Sequence, residues 1–224
     1  NLGANIFLNK NIPIGAGLAG GSSNAAATLI GLNKLWELNL DQLILKRLAL
    51  NLGSDVPFFL EGGSQYCFGR GEVLEKYRFD SRFFMIILKN PKVSLSTSEI
   101  YQKYSDKFQM NYLNSEVEYE NKRNILRSID FSYDNFVNRR IKIRNDLQKI
   151  VQNENKSVSD ALNLFSKIKE CISFSMSGSG PSCYGLFDNY EIAQHVYEKN
   201  KKLFLSFGYD SWLCEFQSEG IKIL

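Results

Sequence analysis

Several residue types are scarce in this chain of 224 residues, and each scarcity excludes a class of protein. The four cysteines, Cys67, Cys171, Cys183 and Cys214, contain no CxxC pair. This argues against a disulfide scaffold or a zinc ribbon and favours reduced thiols in a cytoplasmic-type compartment. Because His195 is the only histidine, a multi-histidine metal site is excluded, and a histidine-based catalytic triad would have to use this residue.

Long apolar runs and a strong charge excess are missing as well. The longest apolar run covers residues 83–88, which is strand length and far below the ~20 residues that cross a bilayer. The 27 basic and 24 acidic residues leave a net charge of +3, too mild to indicate a nucleic-acid partner. The remaining composition, 44% hydrophobic and 23% charged, is that of a globular protein with one large domain or two small ones.

A glycine-rich segment, residues 13–26, reads PIGAGLAGGSSNAA and leads into a run with helical spacing. Glycines let a backbone approach a ligand closely, and the N–H groups and dipole at a helix start bind anions. The hydroxyls of Ser22 and Ser23 could ligate a phosphate-bound Mg²⁺. The segment therefore predicts a phosphate cradle, and the alternative is a tight strand–helix connection with surplus glycine.

Two other nucleotide motifs fit this segment less well. A Walker A loop needs a lysine before Ser22, which this chain lacks. Gly15, Gly17 and Gly20 satisfy GxGxxG, but that dinucleotide-binding motif expects a strand running directly into the glycines and an acidic residue ~20 residues on at the end of a second strand. Here Pro13 intervenes and the helix leads to another helix, so a Rossmann fold is disfavoured.

Two further segments carry candidate chemistry. Asp55 lies between Gly53, which ends a predicted helix, and the apolar run 56–60, which predicts a strand. An acid at such a junction is held beside a cleft, and the alternative is a capping or turn aspartate. A second run of small residues, MSGSGPS at 176–182, either closes over a phosphate or forms a hairpin between two strands.

The remaining pattern predicts a mixed α+β chain in which residues 104–138 form a variable connection or lid. A helix, hairpin, helix and strand follow, an order typical of an α+β layer. Strands are predicted at 5–9, 56–60, 64–68, 83–88, 172–176, 183–187 and 209–216. Helices are predicted at 25–36, at 41–51 with Asp41 as its N-cap, around 147–151, at 158–170 and at 191–204.

Taken together, these segments resemble the GHMP kinases. The 13–26 loop is similar to the ATP-phosphate motif of that family, and GSGPS at 178–182 is similar to its third motif. Four other stretches are similar to one subgroup, whose members phosphorylate a cytidylylated sugar alcohol for isoprenoid synthesis. They are LGSDVPFFLEGG from Leu52, GRGE from Gly69, VSLST from Val93 and NDL from Asn145. The resemblance runs from Gly3 to about Phe187.

The resemblance implies the α+β, two-lobed GHMP-kinase fold, with a glycine-rich loop and helix in the N-terminal lobe and a ferredoxin-like α/β layer in the C-terminal lobe. The implied domains are residues 1–90 and 91–224. ATP and Mg²⁺ are the implied cofactors, and the implied partner is a small-molecule substrate, with no nucleic acid or membrane. The protein is expected to be a monomer or homodimer in a bacterial-type cytoplasm, or in a plastid if its source is eukaryotic.

The resemblance also implies roles for particular residues. Asp55 would bind the substrate and, as the catalytic residue, polarise or deprotonate its hydroxyl. Thr97 would contact the substrate, residues 178–182 would border the site, and Ser22 and Ser23 would hold Mg²⁺. The residues that would bind ATP are Pro13, Ile14, Gly15, Ala16, Gly17, Leu18, Ala19, Gly20, Gly21, Ser22 and Ser23.

One departure concerns the beginning of the chain. Members of the family begin with a segment that carries a catalytic lysine, and nothing here matches it, since Lys10 directly precedes the glycine loop. We therefore expect roughly the first third of the N-terminal domain to be absent, by usual domain size, and this chain alone to be inactive. Two alternatives stay open: another GHMP kinase of the homoserine or mevalonate type, and a non-catalytic nucleotide-binding module.

Overall fold

The structure, a computed structural model, describes residues 2–77, 83–138 and 143–223. These ranges contain nine α-helices, six strands and one 3₁₀ turn, Gln109–Asn111. The helices are α1 Gly20–Leu35, α2 Gln42–Leu52, α3 Val56–Glu61, α4 Thr97–Phe108, α5 Glu116–Arg127, α6 Tyr133–Val137, α7 Gln148–Glu154, α8 Lys156–Ser166 and α9 Tyr190–Ser206. The strands are β1 Gln65–Phe68, β2 Val73–Lys76, β3 Phe84–Lys89, β4 Ser173–Met176, β5 Cys183–Phe187 and β6 Asp210–Glu215.

The described residues fall into two compact units. The first unit contains residues 2–14, 19–77 and 217–223, and the second contains residues 15–18, 83–138 and 143–216. The first unit therefore holds α1–α3 with the β1–β2 pair, and the second holds the other elements. The division into domains at 1–90 and 91–224 stays a prediction.

The helices predicted at 25–36 and 41–51 are confirmed as α1 and α2. In α2 the Asp41 carboxylate accepts a hydrogen bond from the Ile44 N–H at 2.8 Å, the N-cap arrangement that the sequence predicted. The predicted strand 5–9 is absent: these residues have no regular secondary structure, and Phe7 is 95% exposed. A strand needs a partner, and within residues 2–77 the two strands β1 and β2 pair with each other.

The predicted strand 56–60 is wrong, because this segment forms helix α3. Pro57 lies in its first turn, where a missing N–H costs nothing since that group has no partner inside the helix. Val56 and Leu60, one turn apart, both pack into the core of the first unit with Leu45 and two alanines. A short apolar run fits a buried helix turn as well as a buried strand, so periodicity alone could not separate them.

The second unit is built on a four-stranded antiparallel sheet of order β4-β5-β3-β6. The chain enters at the inner strand β3, passes through α8 to the β4–β5 hairpin, and returns through α9 to β6. This connectivity is the split βαβ arrangement and confirms the predicted ferredoxin-like layer. The strands predicted at 83–88, 172–176, 183–187 and 209–216 are confirmed, with ends that differ by a residue or two.

The core of the second unit lies between the sheet and helices α8 and α9. Phe165 from α8, Phe204 from α9 and Phe187 from β5 are fully buried there. Gly185 on β5 leaves room for this layer, because a Cβ at that position would lie 2.6 Å from Cδ1 of Phe165 and 2.9 Å from Sγ of Cys171. The glycine therefore sets how closely α8 approaches the strand.

We expect Gly185→Ala to lower the free energy of unfolding by about 1–3 kcal/mol, the usual result of overpacking a dense core. Gly31→Ala is the matched control, because a Cβ there meets nothing within 4 Å on the exposed side of α1. That control should be neutral or stabilising, since alanine favours a helix over glycine. Urea unfolding of both variants measures the difference, and an unchanged midpoint for Gly185→Ala would show that Phe165 moves aside freely.

The polar segment 104–138, predicted as a variable connection or lid, is mostly helical within its described residues, which the sequence did not predict. Ser115 caps α5 by accepting a hydrogen bond from the Glu118 N–H at 3.2 Å. Along α5, Arg123 pairs with Glu116 at 3.1 Å and with Glu120 at 3.0 Å. This helix buries no residue, so ion pairs and the cap support it. It has no buried apolar face, which is the feature by which a helix is recognised from sequence.

Candidate functional site

The start of helix α1 has free backbone donors. Ala19 occupies the N-cap position in a left-handed conformation, with φ 48°, and its carbonyl accepts from the Ser23 N–H at 3.0 Å. Within the described residues, the N–H groups of residues 20–22 have no backbone acceptor, and the first turn carries no acidic side chain. Such a helix start is suited to an anion, as the predicted phosphate cradle requires.

The preceding residues, 15–18, belong to the second unit and pack against the second glycine loop, residues 176–182. Ser177 Oγ donates to the Gly17 carbonyl at 2.8 Å, and the Ser182 N–H donates to the Ala16 carbonyl at 3.2 Å. Gly17 has φ +69°, and a Cβ there would lie 2.5 Å from the Ser177 carbonyl oxygen. The structure thus brings together two loops that lie 160 residues apart in sequence.

Thr97, the predicted substrate contact, borders the same loop. It is the first residue of α4, and its Oγ1 lies 2.9 Å from Oγ of Ser179. Helix α4 starts there because Ser96 caps it, accepting from the Glu99 N–H at 3.4 Å. Gly15 lies close by, since a Cβ on it would come within 2.7 Å of Oγ of Ser94. Within the second unit, Thr97 and residues 15–18 therefore both contact the second glycine loop.

Asp55 lies in the first unit, directly before α3. Its side chain is exposed and makes no capping hydrogen bond, so the capping alternative is wrong, and the residue lies in the turn between α2 and α3. Burial raises the pKa of the Cys67 thiol, and the Asp55 carboxylate contributes to that rise through its charge. The carboxylate is therefore accessible to a ligand and has no role in ending or starting a helix.

A cavity of about 540 Å³ in the second unit was not predicted from the sequence. Tyr101 and Tyr104 of α4 line one side, and residues 175–178 of β4 and the second glycine loop line another. Arg144 pairs with Asp146 at 2.5 Å at the same cavity, and this pairing raises the pKa of the Arg144 guanidinium. The NDL stretch from Asn145, singled out by resemblance, was the signal that lay closest to this cavity.

The donor set for a metal is sparse. Within residues 2–77, 83–138 and 143–223, no three histidine, cysteine, aspartate or glutamate side chains form a group able to hold an ion. Ser23 donates its hydroxyl hydrogen to the Gly20 carbonyl at 3.0 Å, which leaves the lone pairs of its oxygen for a cation. Mg²⁺ prefers few protein ligands and several phosphate or water oxygens, so these serines fit such an ion only together with a phosphate.

Burial raises the thiol pKa of Cys67, Cys183 and Cys214, so the structure gives none of these three an activated thiolate. All four cysteines are free thiols, and burial raises the pKa of Cys183 to about 12, so it stays a neutral thiol at physiological pH. His195 occupies an exposed position on α9. In the part of the chain that the structure describes, no helix has the length and apolar character needed to span a membrane.

Comparison with known proteins identifies the class. The chain matches the GHMP kinases N terminal domain over residues 2–63 and the GHMP kinases C terminal domain over residues 125–205. It is also 57% identical over 224 residues to a protein of Prochlorococcus marinus (strain MIT 9301), covering 100% of this chain and 72% of that protein. The chain belongs to the GHMP kinases, and membership implies the use of ATP.

The names of the similar proteins are more specific than the name of the family. The protein from strain MIT 9301 is named 4-diphosphocytidyl-2-C-methyl-D-erythritol kinase. A protein of Prochlorococcus marinus (strain NATL1A) has the same name and is 48% identical over 223 residues, which are 99% of this chain and 70% of that protein. The resemblance stated from the sequence motifs is thereby confirmed.

Solved structures confirm the fold. A crystal structure of 4-(cytidine 5'-diphospho)-2C-methyl-D-erythritol kinase superposes with a TM-score of 0.66 at 24% identity, covering 92% of this chain and 68% of that one. A crystal structure of L. major mevalonate kinase in complex with R-mevalonate is less similar, with a TM-score of 0.55 at 11% identity, covering 89% of this chain and 66% of that one. At these identities the likeness concerns the fold alone.

Proposed function

We propose that this protein is an ATP-dependent kinase that phosphorylates the 2-hydroxyl of 4-diphosphocytidyl-2-C-methyl-D-erythritol, a step of isoprenoid precursor synthesis in a bacterial-type cytoplasm. The observation that carries the proposal is the 57% identity over the whole chain to a relative with that name. The physical support is a helix start with free N–H groups that directly follows the first glycine-rich segment. These features suit a triphosphate, and Asp55 supplies an accessible carboxylate.

Phosphoryl transfer of this kind needs positioning and charge neutralisation rather than covalent chemistry by the protein. In our proposal, residues 13–23 wrap the triphosphate, and the free N–H groups of residues 20–22 face its oxygens. Ser22 and Ser23 offer hydroxyl oxygens to Mg²⁺, which when bound would neutralise the negative charge that develops on the phosphates. Asp55 accepts or orients the proton of the substrate hydroxyl, so that its oxygen forms a bond to the γ-phosphorus while the bond to the β,γ-bridging oxygen breaks and ADP leaves.

The experiment that tests this function is a substrate panel. In this and every activity assay below, the protein carries the lysine-bearing N-terminal segment of the family. It is incubated with ATP, Mg²⁺ and either 4-diphosphocytidyl-2-C-methyl-D-erythritol, homoserine or mevalonate, and ³¹P NMR follows the formation of a phosphomonoester. We expect turnover of the cytidylyl substrate alone. Turnover of homoserine or mevalonate instead would favour another GHMP kinase. Binding of an ATP analogue without any turnover would favour the non-catalytic module.

We also propose that part of the substrate occupies the cavity beside the second glycine loop. Its volume of about 540 Å³ is within the range of small-molecule sites, and Tyr101, 58% exposed, presents a ring on which a base can stack. Thr97 lies one helical turn before Tyr101 on α4, so both side chains lie on the same face of that helix.

Tyr101→Ala should raise the KM for the cytidylyl substrate about tenfold, because stacking on an aromatic ring contributes roughly 1–3 kcal/mol per base. The KM for ATP should change little. Tyr119→Ala is the control, since this tyrosine is exposed on α5 and lines no part of the cavity. Steady-state kinetics with each substrate varied in turn measures both constants, and equal effects of the two substitutions would remove the cavity from the substrate site.

A further inference from the structure

The side chain of Asn145 connects the turn before α7 to the second glycine loop. Its Nδ2 donates to the carbonyls of Met176 and Gly178, both at 2.8 Å, and its Oδ1 accepts from the Leu147 N–H at 3.0 Å. A primary amide has two N–H donors, and both are used on carbonyls two residues apart. This arrangement fixes the orientation of the Asn145 amide, and it also fixes the distance between the carbonyls of Met176 and Gly178.

The second glycine loop needs such external support because its own conformation is unusual. Gly178 and Gly180 have φ of +53° and +81°, the left-handed region that other residues rarely adopt. Inside the loop, the Gly180 N–H donates to the Ser177 carbonyl at 2.8 Å. The Gln148 Oε1 adds a second support by accepting from the Met176 N–H at 2.9 Å. The turn before α7 and the first residue of α7 thus hold the loop where it leaves β4.

The same loop determines where residues 15–18 lie. Ser177 Oγ and the Ser182 N–H donate to the carbonyls of Gly17 and Ala16, and Ala16 is 2% exposed. The space between the two segments is closed, since a Cβ on Gly17 would also lie 2.7 Å from the Gly180 carbonyl oxygen. A shift of the loop by a few tenths of an ångström would therefore move the backbone of the first glycine segment.

We propose that Asn145 is a positioning residue for nucleotide binding: it holds the loop 176–182, which in turn holds the backbone of residues 15–18. The inference rests on the proposed function, because it takes residues 13–23 as the triphosphate site. Asn145 itself touches neither Ala16 nor Gly17 among the described contacts, so its effect passes through Ser177 and Ser182. Losing the amide leaves two carbonyls without these donors and releases the loop from the turn before α7.

The test compares Asn145→Ala with a matched control, Asn155→Ala. Asn155 also uses its Oδ1 in a local hydrogen bond, accepting from the Val158 N–H at 3.2 Å as the N-cap of α8, and among the described residues none of its hydrogen bonds reaches the loop. Each substitution removes side-chain hydrogen bonds, and a melting curve of each variant measures the resulting loss of stability. Any difference between them in ligand binding then reports positioning rather than stability.

Calorimetric titration with a non-hydrolysable ATP analogue gives the first readout. We expect Asn145→Ala to weaken binding about tenfold or more, and Asn155→Ala to leave the Kd within twofold of the wild type. A folded Asn145→Ala protein with unchanged Kd, or equal weakening in both variants, would overturn the positioning role and leave the proposed function intact. Absence of binding by the wild type would instead overturn nucleotide use itself.

Amide hydrogen exchange gives a second readout that needs no ligand. The Ser182 N–H, which donates to the Ala16 carbonyl, should exchange about tenfold faster in Asn145→Ala and at the wild-type rate in Asn155→Ala. Should Asn145→Ala fail to fold, Asn145→Ser keeps one hydroxyl donor for the loop, and the same two measurements apply with a smaller expected shift. Unchanged exchange at Ser182 would show that the loop keeps its position without the amide.

Discussion

Asp55→Asn should lower kcat for phosphorylation of the cytidylyl substrate by roughly 10²-fold or more, the usual scale for losing a positioned acid–base group. The carboxylate is exposed and forms no cap to α3, so the substitution removes a proton acceptor and leaves the helix start unchanged. Binding of the ATP analogue should change little, because Asp55 lies outside the segment that we assign to the triphosphate. Steady-state kinetics and calorimetric titration together measure the two effects.

Two controls separate the loss of a chemical group from a loss of structure. Asp106→Asn on α4 removes an exposed carboxylate that bonds only locally to Gln102 at 2.8 Å, and it should leave kcat unchanged. The Cys67 thiol gives a local probe, because the charge of Asp55 contributes to its raised pKa. Removing that charge should lower the thiol pKa and speed its alkylation at fixed pH. A kcat close to that of the wild type in Asp55→Asn would remove Asp55 from the mechanism.

The parts of the fold that could be predicted are those with strong local signals. Helix α2 has Asp41 at its start and Gly53 at its end, and both boundaries follow from capping chemistry. The strands of the second unit are short apolar runs between turn residues, a pattern that a buried sheet produces. The ferredoxin-like layer was predicted from the resemblance to the GHMP kinases, together with the succession of helix, hairpin, helix and strand.

The wrong predictions concern segments whose state depends on their surroundings. The run 56–60 was ambiguous because only its tertiary neighbours decide whether Val56 and Leu60 face one core as a helix turn. Helix α5 has no apolar face toward a core, and its caps and ion pairs are weak signals individually. The candidate site shows the same limit: each glycine loop could be recognised alone, but their contact through Ser177 and the role of Asn145 require the fold.

Gly17 and Gly20 of the first glycine-rich segment have different surroundings in the structure. Gly17 has φ +69°, and a Cβ on it would meet backbone atoms of Ser177 and Gly180 at 2.5–3.0 Å, atoms that cannot move aside cheaply. Gly20 is the first residue of α1, and its φ is not in the left-handed region. A Cβ there would meet side-chain atoms of Ile12 and Lys10 at 2.8 and 3.1 Å. A side chain at position 17 would therefore be forced into the left-handed region, and one at position 20 would not.

Gly17→Ala should consequently be the more damaging of two substitutions that each add one methyl group. A left-handed backbone costs about 1–2 kcal/mol for a residue with a Cβ, and overpacking costs roughly 1–3 kcal/mol more. If the loop escapes this strain by leaving its bound conformation, affinity for the ATP analogue falls on the order of 10²-fold, at about 1.4 kcal/mol per factor of ten. Calorimetric titration, paired with a melting curve, measures this loss.

Gly20→Ala is the matched comparison, because flexible side chains can yield to its methyl group and alanine favours the first turn of a helix. We expect its affinity to fall less than that of Gly17→Ala, with a melting temperature close to that of the wild type. The larger Gly20→Val should weaken nucleotide binding far more than it lowers thermal stability, since valine would crowd the free N–H groups of residues 20–22. Unchanged affinity in folded Gly17→Ala and Gly20→Val proteins would show that this glycine-rich segment is only a turn and that the triphosphate binds elsewhere.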